Sequence, residues 1–376
     1  MAEEFLWGAA TSAHQVEGDN VNNQWWDWER KARDRVRSGK ATDHFNRFKA
    51  DFGLAKSLGH NAHRLSIEWS RLEPAYNQWS RAAINHYREV LQDLRDKDIK
   101  SFVTLHHFTN PMWFENLGGW ENVKASDLFA RYVRVVVEEL GDLIDFWVTI
   151  NEPMVYASQS YWRGNWPPQK RSFWAMERVA RGLAATHRKA YRVIHRARSQ
   201  ARVGIAKNFV AYLGGRWPAM IQDWWFNHRF FALTRGAHDF IGVNYYFAQT
   251  SKFERWNGVK SDMGWPVRPE GLEQVLEHVK RYGKPIYITE NGLANEDDSK
   301  RADFIRGHLR VIEKAQEKGA DVRGYFYWSL LDNFEWAHGF RPRFGLVEVD
   351  YKTFERKPRP SAYVYKAIID KAMGRV

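Results

Sequence analysis

The sequence predicts an α/β protein, a single (β/α)8 TIM barrel with its site at the C-terminal ends of the strands. Short apolar, β-branched runs recur along the 376 residues and alternate with longer segments of helical period. There are eight such runs, which is the number of strands in a closed barrel of βαβ units. Neither a G-x-G-x-x-G after the first strand nor a P-loop is present, which weakens the alternative of an open doubly wound sheet.

The predicted strands are the apolar runs, of which FWVTIN and PIYITE are typical. Their ranges are 5–11, 62–67, 101–106, 146–151, 203–208, 239–246, 285–290 and 322–330. The predicted helices repeat their apolar residues every three to four positions, as an amphipathic helix does. The main ones cover 41–59, 81–98, 126–141, 172–198 and 299–319.

The rest of the chain predicts one domain over residues 1–376. There is no Pro/Gly/Ser linker and no low-complexity segment, and the polar stretch 247–269 is predicted to be a loop over the barrel mouth. No run of 18 apolar residues is present, the start MAEEFLWGAA is acidic, and there is no N-x-Ser/Thr sequon. We therefore expect a cytoplasmic protein without membrane contact.

The composition also limits the function. There is no cysteine, which excludes disulfides and thiolate chemistry. The net charge is +12, but the basic residues are interspersed with acids, as in ERKARDRVRSGK, whereas nucleic-acid binding needs clustered charge. We expect no nucleic-acid partner. The 19 tryptophans offer flat faces that fill cores or stack on sugars.

Two of the predicted strands end on a glutamate. FWVTINEP carries Glu152 and IYITENG carries Glu290, each directly after an apolar run. A buried carboxylate is costly unless it is paired or used. Because the ends of parallel strands meet at one face of a barrel, the pattern predicts a pair of carboxylates there.

Further polar and aromatic side chains are predicted at the strand ends or just beyond them. They are Gln15, Glu17, Arg64, His106, His107, Asn151, Asn244, Tyr246, Asn291, Trp328, Asp332, Glu335 and Trp336. Amides and carboxylates can bridge vicinal hydroxyls, and indole faces can cover the apolar side of a sugar ring. Two carboxyl groups can supply a general acid and a nucleophile for glycosidic cleavage. Each residue alone is more often structural, but together they point to a glycoside site.

These motifs resemble those of glycoside hydrolase family 1, the β-glucosidase and β-galactosidase family. FLWGAATSAHQVEG resembles its amino-terminal signature, and TINEP and ITENG resemble its two catalytic motifs. RLSIEWSR, TLHHF, DFIGVNYY, WSLLDNFEWAHGF and FGLVEVD are similar to further landmarks, so that the resemblance covers nearly the whole chain. It implies a retaining β-glycosidase for non-phosphorylated hexosides, most simply a β-glucosidase, with no cofactor and no metal.

The resemblance also implies roles for individual residues. Glu152 matches the acid/base and Glu290 the nucleophile. The residues matching groups that hold the sugar are Gln15, His107, Asn151, Trp328, Glu335, Trp336 and Phe344. The residues matching the shell that supports the nucleophile are Arg64, Asn244 and Tyr246.

Some positions depart from the family pattern. Met154 and Phe108 stand where many members carry a tryptophan, and the stretch 209–240 looks shorter than usual. The aglycone preference therefore stays open, as do gluco, galacto or fuco selectivity and the oligomeric state. Glu335 is present, whereas members that act on 6-phosphorylated sugars usually lack this glutamate. The expected partner is a small-molecule β-glycoside or a short oligosaccharide.

Three other functions would use some of the same residues. A transglycosylase would use the same covalent intermediate. A sugar-binding barrel without catalysis would be favoured by the loss of either glutamate, and both are present. A metal-dependent hydrolase is prompted by His106 and His107, but adjacent strand residues point to opposite faces, and no H-E-x-x-H motif occurs.

Overall fold

The computed structural model describes residues 4–213, 217–249 and 256–376. Within them, eight parallel strands close a barrel in chain order, which confirms the predicted (β/α)8 fold. The strands β1–β8 are Leu6–Ala10, Ala62–Ser66, Lys100–Thr104, Phe146–Asn151, Arg202–Tyr212, Ile241–Gln249, Ile286–Asn291 and Val322–Trp328. Each overlaps one predicted strand. Two short antiparallel strands, β9 (Val347–Val349) and β10 (Arg356–Pro358), lie outside the barrel.

Helices surround the barrel. The α-helices α1–α14 are Ala13–Val16, Gln24–Arg30, His44–Ser57, Trp69–Leu72, Arg81–Asp96, Met112–Asn116, Ala125–Leu140, Pro153–Ala157, Phe173–Ala197, Trp217–Asp223, Arg229–Leu233, Pro269–Val279, Arg301–Glu317 and Pro360–Ala372. Short 3₁₀ turns cover Gly119–Glu121, Gly141–Leu143, Lys280–Tyr282 and Trp336–His338, and π-helical turns cover Ser158–Trp162 and Trp224–His228. No helix in the described ranges is long and apolar enough to cross a membrane.

The apolar residues whose spacing predicts the helices are the ones that the helices bury. In α5 the buried positions are Ile84, Tyr87, Val90, Leu91 and Leu94, which lie on one face. Ser80 begins this helix by accepting a hydrogen bond from the backbone N–H of Ala83, which is an N-cap. The helices thus bury their apolar stripes on the outer face of the barrel and leave the strand ends free for polar side chains.

The inside of the barrel is filled with aromatic rings. Phe102 and Phe146 stack with ring centroids 4.0 Å apart, and Phe240, Tyr287 and Phe326 surround them. This packing closes the barrel below the strand ends. The strand ends are therefore approached from the C-terminal mouth.

The predicted mouth loop 247–269 is only partly a loop. Strand β6 continues to Gln249 because it pairs with an equally extended β5, in which Ala211 faces Ala248 and Tyr212 faces Gln249. Residues 250–255 lie outside the described ranges, and α12 begins at Pro269. The sequence pattern missed this extension because Phe247 is partly exposed and Gln249 is polar and exposed, unlike the buried strand that precedes them.

The aromatic packing inside the barrel predicts a large effect of truncation. We expect Phe102→Ala to lower the free energy of unfolding by about 3–5 kcal/mol, because it leaves a cavity among rings that have little room to shift. Denaturant titration of parent and variant measures this difference. The control Val123→Ala removes a side chain that is 93% exposed and should change stability by less than about 0.5 kcal/mol. A similarly small effect for Phe102→Ala would contradict the packing described.

Candidate active site

Glu152 stands directly after β4, where the chain turns into α8. Its backbone adopts a left-handed conformation with φ +44°, which is uncommon for a residue other than glycine. The backbone N–H donates to the carbonyl oxygen of Ala206 at 2.7 Å, so the turn is tied to the neighbouring β5. Pro153 starts the helix that follows, where its missing N–H costs nothing. These constraints hold the buried carboxyl group of Glu152 at the end of the strand.

Glu290 lies on β7 and is held from two sides. One carboxylate oxygen accepts a hydrogen bond from the guanidinium of Arg64, and the other accepts one from the hydroxyl of Tyr246 at 2.6 Å. Both Arg64 and Glu290 are buried. A buried ion pair with further hydrogen bonds fixes the position of both partners, because neither charge can be left alone without a large penalty.

A network of amides connects the two glutamates. Asn244 donates to Glu152 Oε1 at 2.8 Å and to Asn151 Oδ1 at 3.2 Å. The guanidinium of Arg64, which binds Glu290, donates to the same Asn151 oxygen at 2.7 Å. Asn244 also accepts from Thr289 Oγ1 at 2.6 Å. Asn244 was expected beside the nucleophile; it faces Glu290 in strand register, but its amide donates to Glu152.

The two carboxyl groups have different electrostatic surroundings. Burial, followed by the negative charge of Glu290, raises the pKa of Glu152 to about 8. Glu290 instead accepts from the Arg64 cation. Burial, together with the charge of Glu290, also holds the pKa of Tyr246 well above its ordinary value, so that this hydroxyl remains a donor. At neutral pH the site therefore pairs a protonated carboxyl group with an ion-paired one.

Both glutamates open into a cavity of about 1030 Å³ at the barrel mouth. This is at the upper end of the usual range for small-molecule pockets. The structure brings all the predicted sugar-binding residues to its walls, namely Gln15, His107, Asn151, Trp328, Glu335, Trp336 and Phe344. Tyr246 also lines it. Arg64 and Asn244 are not among the lining residues and act from behind the surface.

Trp328 and Glu335 form a unit on one wall. The indole Nε1 of Trp328 donates to Glu335 Oε1 at 3.0 Å. Burial raises the pKa of Glu335 to about 8, against the effect of this hydrogen bond. His107 lies parallel to Trp328, with ring centroids 6.0 Å apart. Burial keeps the pKa of His107 well below its ordinary value, so its ring is neutral at pH 7.

Gln15 is more constrained than its position at a strand end suggests. Its amide nitrogen donates to Asn333 Oδ1 and to the carbonyl oxygen of Phe334, both at 2.9 Å. Its amide oxygen accepts from Ser12 Oγ at 2.6 Å. Both amide protons are used within the protein. Gln15 can therefore offer a ligand only the second lone pair of its oxygen.

Several predicted strand-end residues lie elsewhere. His106 points to the opposite face from His107, where its Nε2 is 2.9 Å from Asn110 Oδ1. Glu17 is paired with Arg71 at 2.7 Å. Asp332 forms ion pairs with Arg343 and Arg359. These residues support the framework of the mouth.

The sequence reasoning missed several lining residues. Trp166 and Trp265 line the cavity, and Trp166 packs near Phe108 with ring centroids 4.9 Å apart. Phe108 also lines it, whereas Met154 is buried and is not part of the wall. The available signal was a tryptophan beside Pro or Gly in a mouth loop, as in GNWPP and MGWP. Many family members carry a tryptophan at the positions of Met154 and Phe108. In this chain, Trp166 and Trp265 supply part of that aromatic surface from other loops.

A buried lysine close to Glu152 was also missed. Lys207 follows Ala206 on β5, and its ammonium group donates to the carbonyl oxygen of Asn208 and lies 4.4 Å from the ring centroid of Phe226. Burial lowers the pKa of Lys207 to about 7. Its positive charge is one of the influences that lower the pKa of Glu152. A single lysine in a strand pattern gave no indication of this proximity.

Known proteins share the sequence pattern and the fold of this chain. The family model described as "Glycosyl hydrolase family 1" matches residues 1–213 and 225–373. The structure is similar to a beta-glycosidase from Pyrococcus horikoshii, with a TM-score of 0.92, 42% identity and coverage of 100% of this chain and 97% of the other. It is also similar to the beta-glucosidase from Thermotoga maritima in complex with deoxynojirimycin, with a TM-score of 0.92, 30% identity and coverage of 99% of both chains. A 6-phospho-beta-galactosidase of Clostridium acetobutylicum is 29% identical over 97% of this chain and 96% of its own length.

The raised pKa of Glu152 predicts a pH-dependent cost in stability. A carboxyl group whose pKa rises on folding stabilises the folded state at low pH, and this contribution is lost as the pH rises towards about 8. Glu152→Gln mimics the protonated acid at every pH. We therefore expect the Tm of the variant to rise relative to the parent as the pH increases from 5 to 9, measured by thermal unfolding at several pH values.

Two controls define the pH experiment. Glu335→Gln should change in the same direction, because the pKa of Glu335 is raised to about the same value. Glu313→Gln replaces an exposed side chain, and its difference from the parent should be the same at each pH. A difference for Glu152→Gln that does not vary with pH would show that the carboxyl group is not destabilised by burial.

Proposed function

The chain belongs to glycosyl hydrolase family 1, and from that membership we propose that it is a retaining β-glycosidase for non-phosphorylated hexosides, with β-glucosides as the main substrates. The observation that carries this proposal is the connected pair Glu152 and Glu290 on the cavity floor. One member holds a proton at neutral pH, and the other is fixed by Arg64 and Tyr246. Double displacement requires one protonated carboxyl group as the acid and one carboxylate as the nucleophile.

In the first step Glu290 is the nucleophile. One of its carboxylate oxygens forms a bond to the anomeric carbon while the bond from that carbon to the glycosidic oxygen breaks. Glu152 gives its proton to the departing oxygen, which leaves as the alcohol of the aglycone. The hydrogen bonds from Arg64 and Tyr246 hold the attacking carboxylate in place, so little reorganisation is needed.

In the second step the roles follow from the changed charges. The glycosyl ester on Glu290 is neutral, so the charge that raised the pKa of Glu152 is gone. Glu152, now ionised, takes a proton from water, and the water oxygen attacks the anomeric carbon. The ester bond breaks and restores the Glu290 carboxylate. Two inversions at the same carbon give net retention.

The preference for a non-phosphorylated sugar rests on Glu335. Its Oε1 accepts from Trp328, and the side chain lines the cavity, where it can accept a hydrogen bond from a hydroxyl of the substrate. Charged or protonated, this carboxyl group brings no positive charge to a phosphate and would compete with it for space. One relative is a 6-phospho-beta-galactosidase, so the rates on phosphorylated and non-phosphorylated glucosides distinguish the two preferences.

The aromatic walls favour an extended or apolar leaving group. Trp166, Trp265 and Phe226 line the cavity together with Phe108. Flat rings of this kind stack on sugars and on aryl groups. Small β-glycosides and short oligosaccharides are the corresponding substrates.

Two expectations from the sequence stay predictions. They are that residues 1–376 form one catalytic domain and that the protein is cytoplasmic.

Azide distinguishes the two glutamates. Glu152→Ala should slow hydrolysis by about 10²–10⁴-fold for substrates that need an acid. With a dinitrophenyl β-glucoside the ester should still form and accumulate, and azide should release it as the β-glucosyl azide. Glu290→Ala should lose hydrolysis of all substrates alike, and azide should attack directly to give the α-azide. NMR of the products identifies the anomeric configuration of the azide. If Glu152→Ala gave the α-azide and Glu290→Ala the β-azide, the roles of the two glutamates would be exchanged.

A substrate panel tests the sugar preference. We expect the parent enzyme to hydrolyse nitrophenyl β-glucoside faster than its 6-phosphate. Glu335→Ala should lower kcat/KM on the glucoside by roughly 10–100-fold, because leaving a buried hydrogen-bonding group without its partner costs about 1–3 kcal/mol. The control Glu313→Ala changes an exposed helical glutamate and should leave both rates unchanged. Faster turnover of the 6-phosphoglucoside by the parent would refute the proposed preference and leave the azide result untouched.

A further inference from the structure

A second group of chemically active side chains lies outside the barrel mouth. It consists of Asp223, His228 and His278, each of which offers one ligand atom, and these atoms lie within 4.8 Å of one another. Within the described ranges, no other group of His, Asp, Glu or Cys side chains meets at this spacing. Asp223 ends α10, His228 ends the following π-helical turn, and His278 lies on α12.

The distances match those of a small metal site. Asp223 Oδ2 is 3.3 Å from His228 Nε2 and 3.8 Å from His278 Nδ1. In a tetrahedral zinc site, with metal–ligand distances of about 2.0–2.1 Å, neighbouring ligand atoms are about 3.3–3.4 Å apart. The two distances from Asp223 are close to this spacing, and the two imidazole nitrogens lie within 4.8 Å of each other.

The orientation of His228 is the second observation that points to a ligand. The ring is 5% exposed, and its Nε2 points at Asp223 Oδ2 from 3.3 Å, a contact that lacks the geometry of a good hydrogen bond. Its other nitrogen, Nδ1, is 2.7 Å from the hydroxyl of Tyr282. A ring oriented by one nitrogen, with the other turned towards a second potential ligand, is the usual arrangement of a metal-binding histidine.

Asp223 is held in a comparable way. Its Oδ1 accepts from Asn227 Nδ2 at 2.6 Å, which leaves Oδ2 directed at the two histidines. Asn227 is itself anchored to β5 by hydrogen bonds with the backbone N–H and carbonyl oxygen of Val210. Asp223 and His278 are partly exposed, so a water molecule can reach the remaining coordination position.

We propose that Asp223, His228 and His278 form a site for one zinc-like divalent cation. Two imidazoles and one carboxylate favour zinc over magnesium or calcium, which prefer oxygen ligands. Asp223 lies within 214–224, the segment that the family model leaves unmatched, whereas His228 and His278 lie in matched segments. The bound ion would join the segment after β5 to α12.

The site would also reach the catalytic cavity. Phe226 lies in the same π-helical turn as His228 and lines the cavity wall. A cation that fixes this turn against α12 would restrain that wall. The expected consequences are greater thermal stability and a more rigid wall on the side of the leaving group.

The test uses the full-length protein freed of metal by a chelator and then titrated with zinc sulfate. We expect calorimetry to show one zinc ion per chain, and thermal unfolding to show a rise in Tm that saturates with zinc. Magnesium sulfate at the same concentrations should produce neither effect. Cobalt(II) should give the visible absorption bands of a tetrahedral complex.

Variants locate the ion. Asp223→Asn and His278→Ala should each weaken zinc binding by at least tenfold and remove the zinc-dependent rise in Tm. Tyr282→Phe should weaken binding by about 10–100-fold through the loss of the contact to His228. These three changes fall on partly exposed side chains, so the experiment does not depend on the folding of a His228 variant.

A matched control uses another histidine–aspartate pair. His195 and Asp239 are 2.8 Å apart and partly exposed, but belong to no three-ligand group in the described ranges. His195→Ala should leave stoichiometry, affinity and the rise in Tm unchanged. Absence of zinc binding, binding unaltered by Asp223→Asn and His278→Ala, or an equal loss in His195→Ala would each overturn the proposal.

Discussion

The site depends on one buried cation. Arg64 is fully buried, and its guanidinium reaches three other strands: Thr104 on β3 at 3.2 Å, Asn151 at the end of β4, and both Thr289 and Glu290 on β7. A charge in that position needs a partner of opposite sign, and removing one member of such a pair typically costs about 3–5 kcal/mol. Glu290 is thus at once the partner that makes the buried arginine tolerable and the carboxylate presented to the cavity.

The strands that carry this network are irregular where they meet it. The pairing register of the parallel strands shifts at three places near the site. These lie between Val148 and Asn151, between Val243 and Asn244, and after Ile288, close to Glu290. Such irregularities re-aim side chains and are common beside active sites. Below them the stacked aromatic rings make the barrel a solid base. The packed interior thus supports strand ends whose local irregularities orient the carboxyl groups towards the cavity.

Sequence patterns predicted the features that depend on local order. The eight strands follow from apolar runs, and Glu152 and Glu290 follow from runs that stop at a carboxylate. What could not be predicted depends on contacts between distant segments. The extension of β5 and β6 arises because each pairs with the other, and the two amide protons of Gln15 are used by Asn333 and Phe334. The cluster of Asp223, His228 and His278 likewise forms only when α12 packs beside the turn after β5.

The pKa of Glu152 is set by opposing contributions. Burial and the charge of Glu290 raise it, while Asn244, Lys207 and Arg64 lower it. The proposed reaction asks this group to hold a proton before the glycosyl ester forms and to be ionised afterwards. Burial alone would keep the group protonated in both states. Because the charge of Glu290 is one of the raising contributions, and disappears when the ester forms, the balance shifts towards the influences that favour ionisation. A network that includes one variable charge among several constant ones can therefore change the role of Glu152 without moving it.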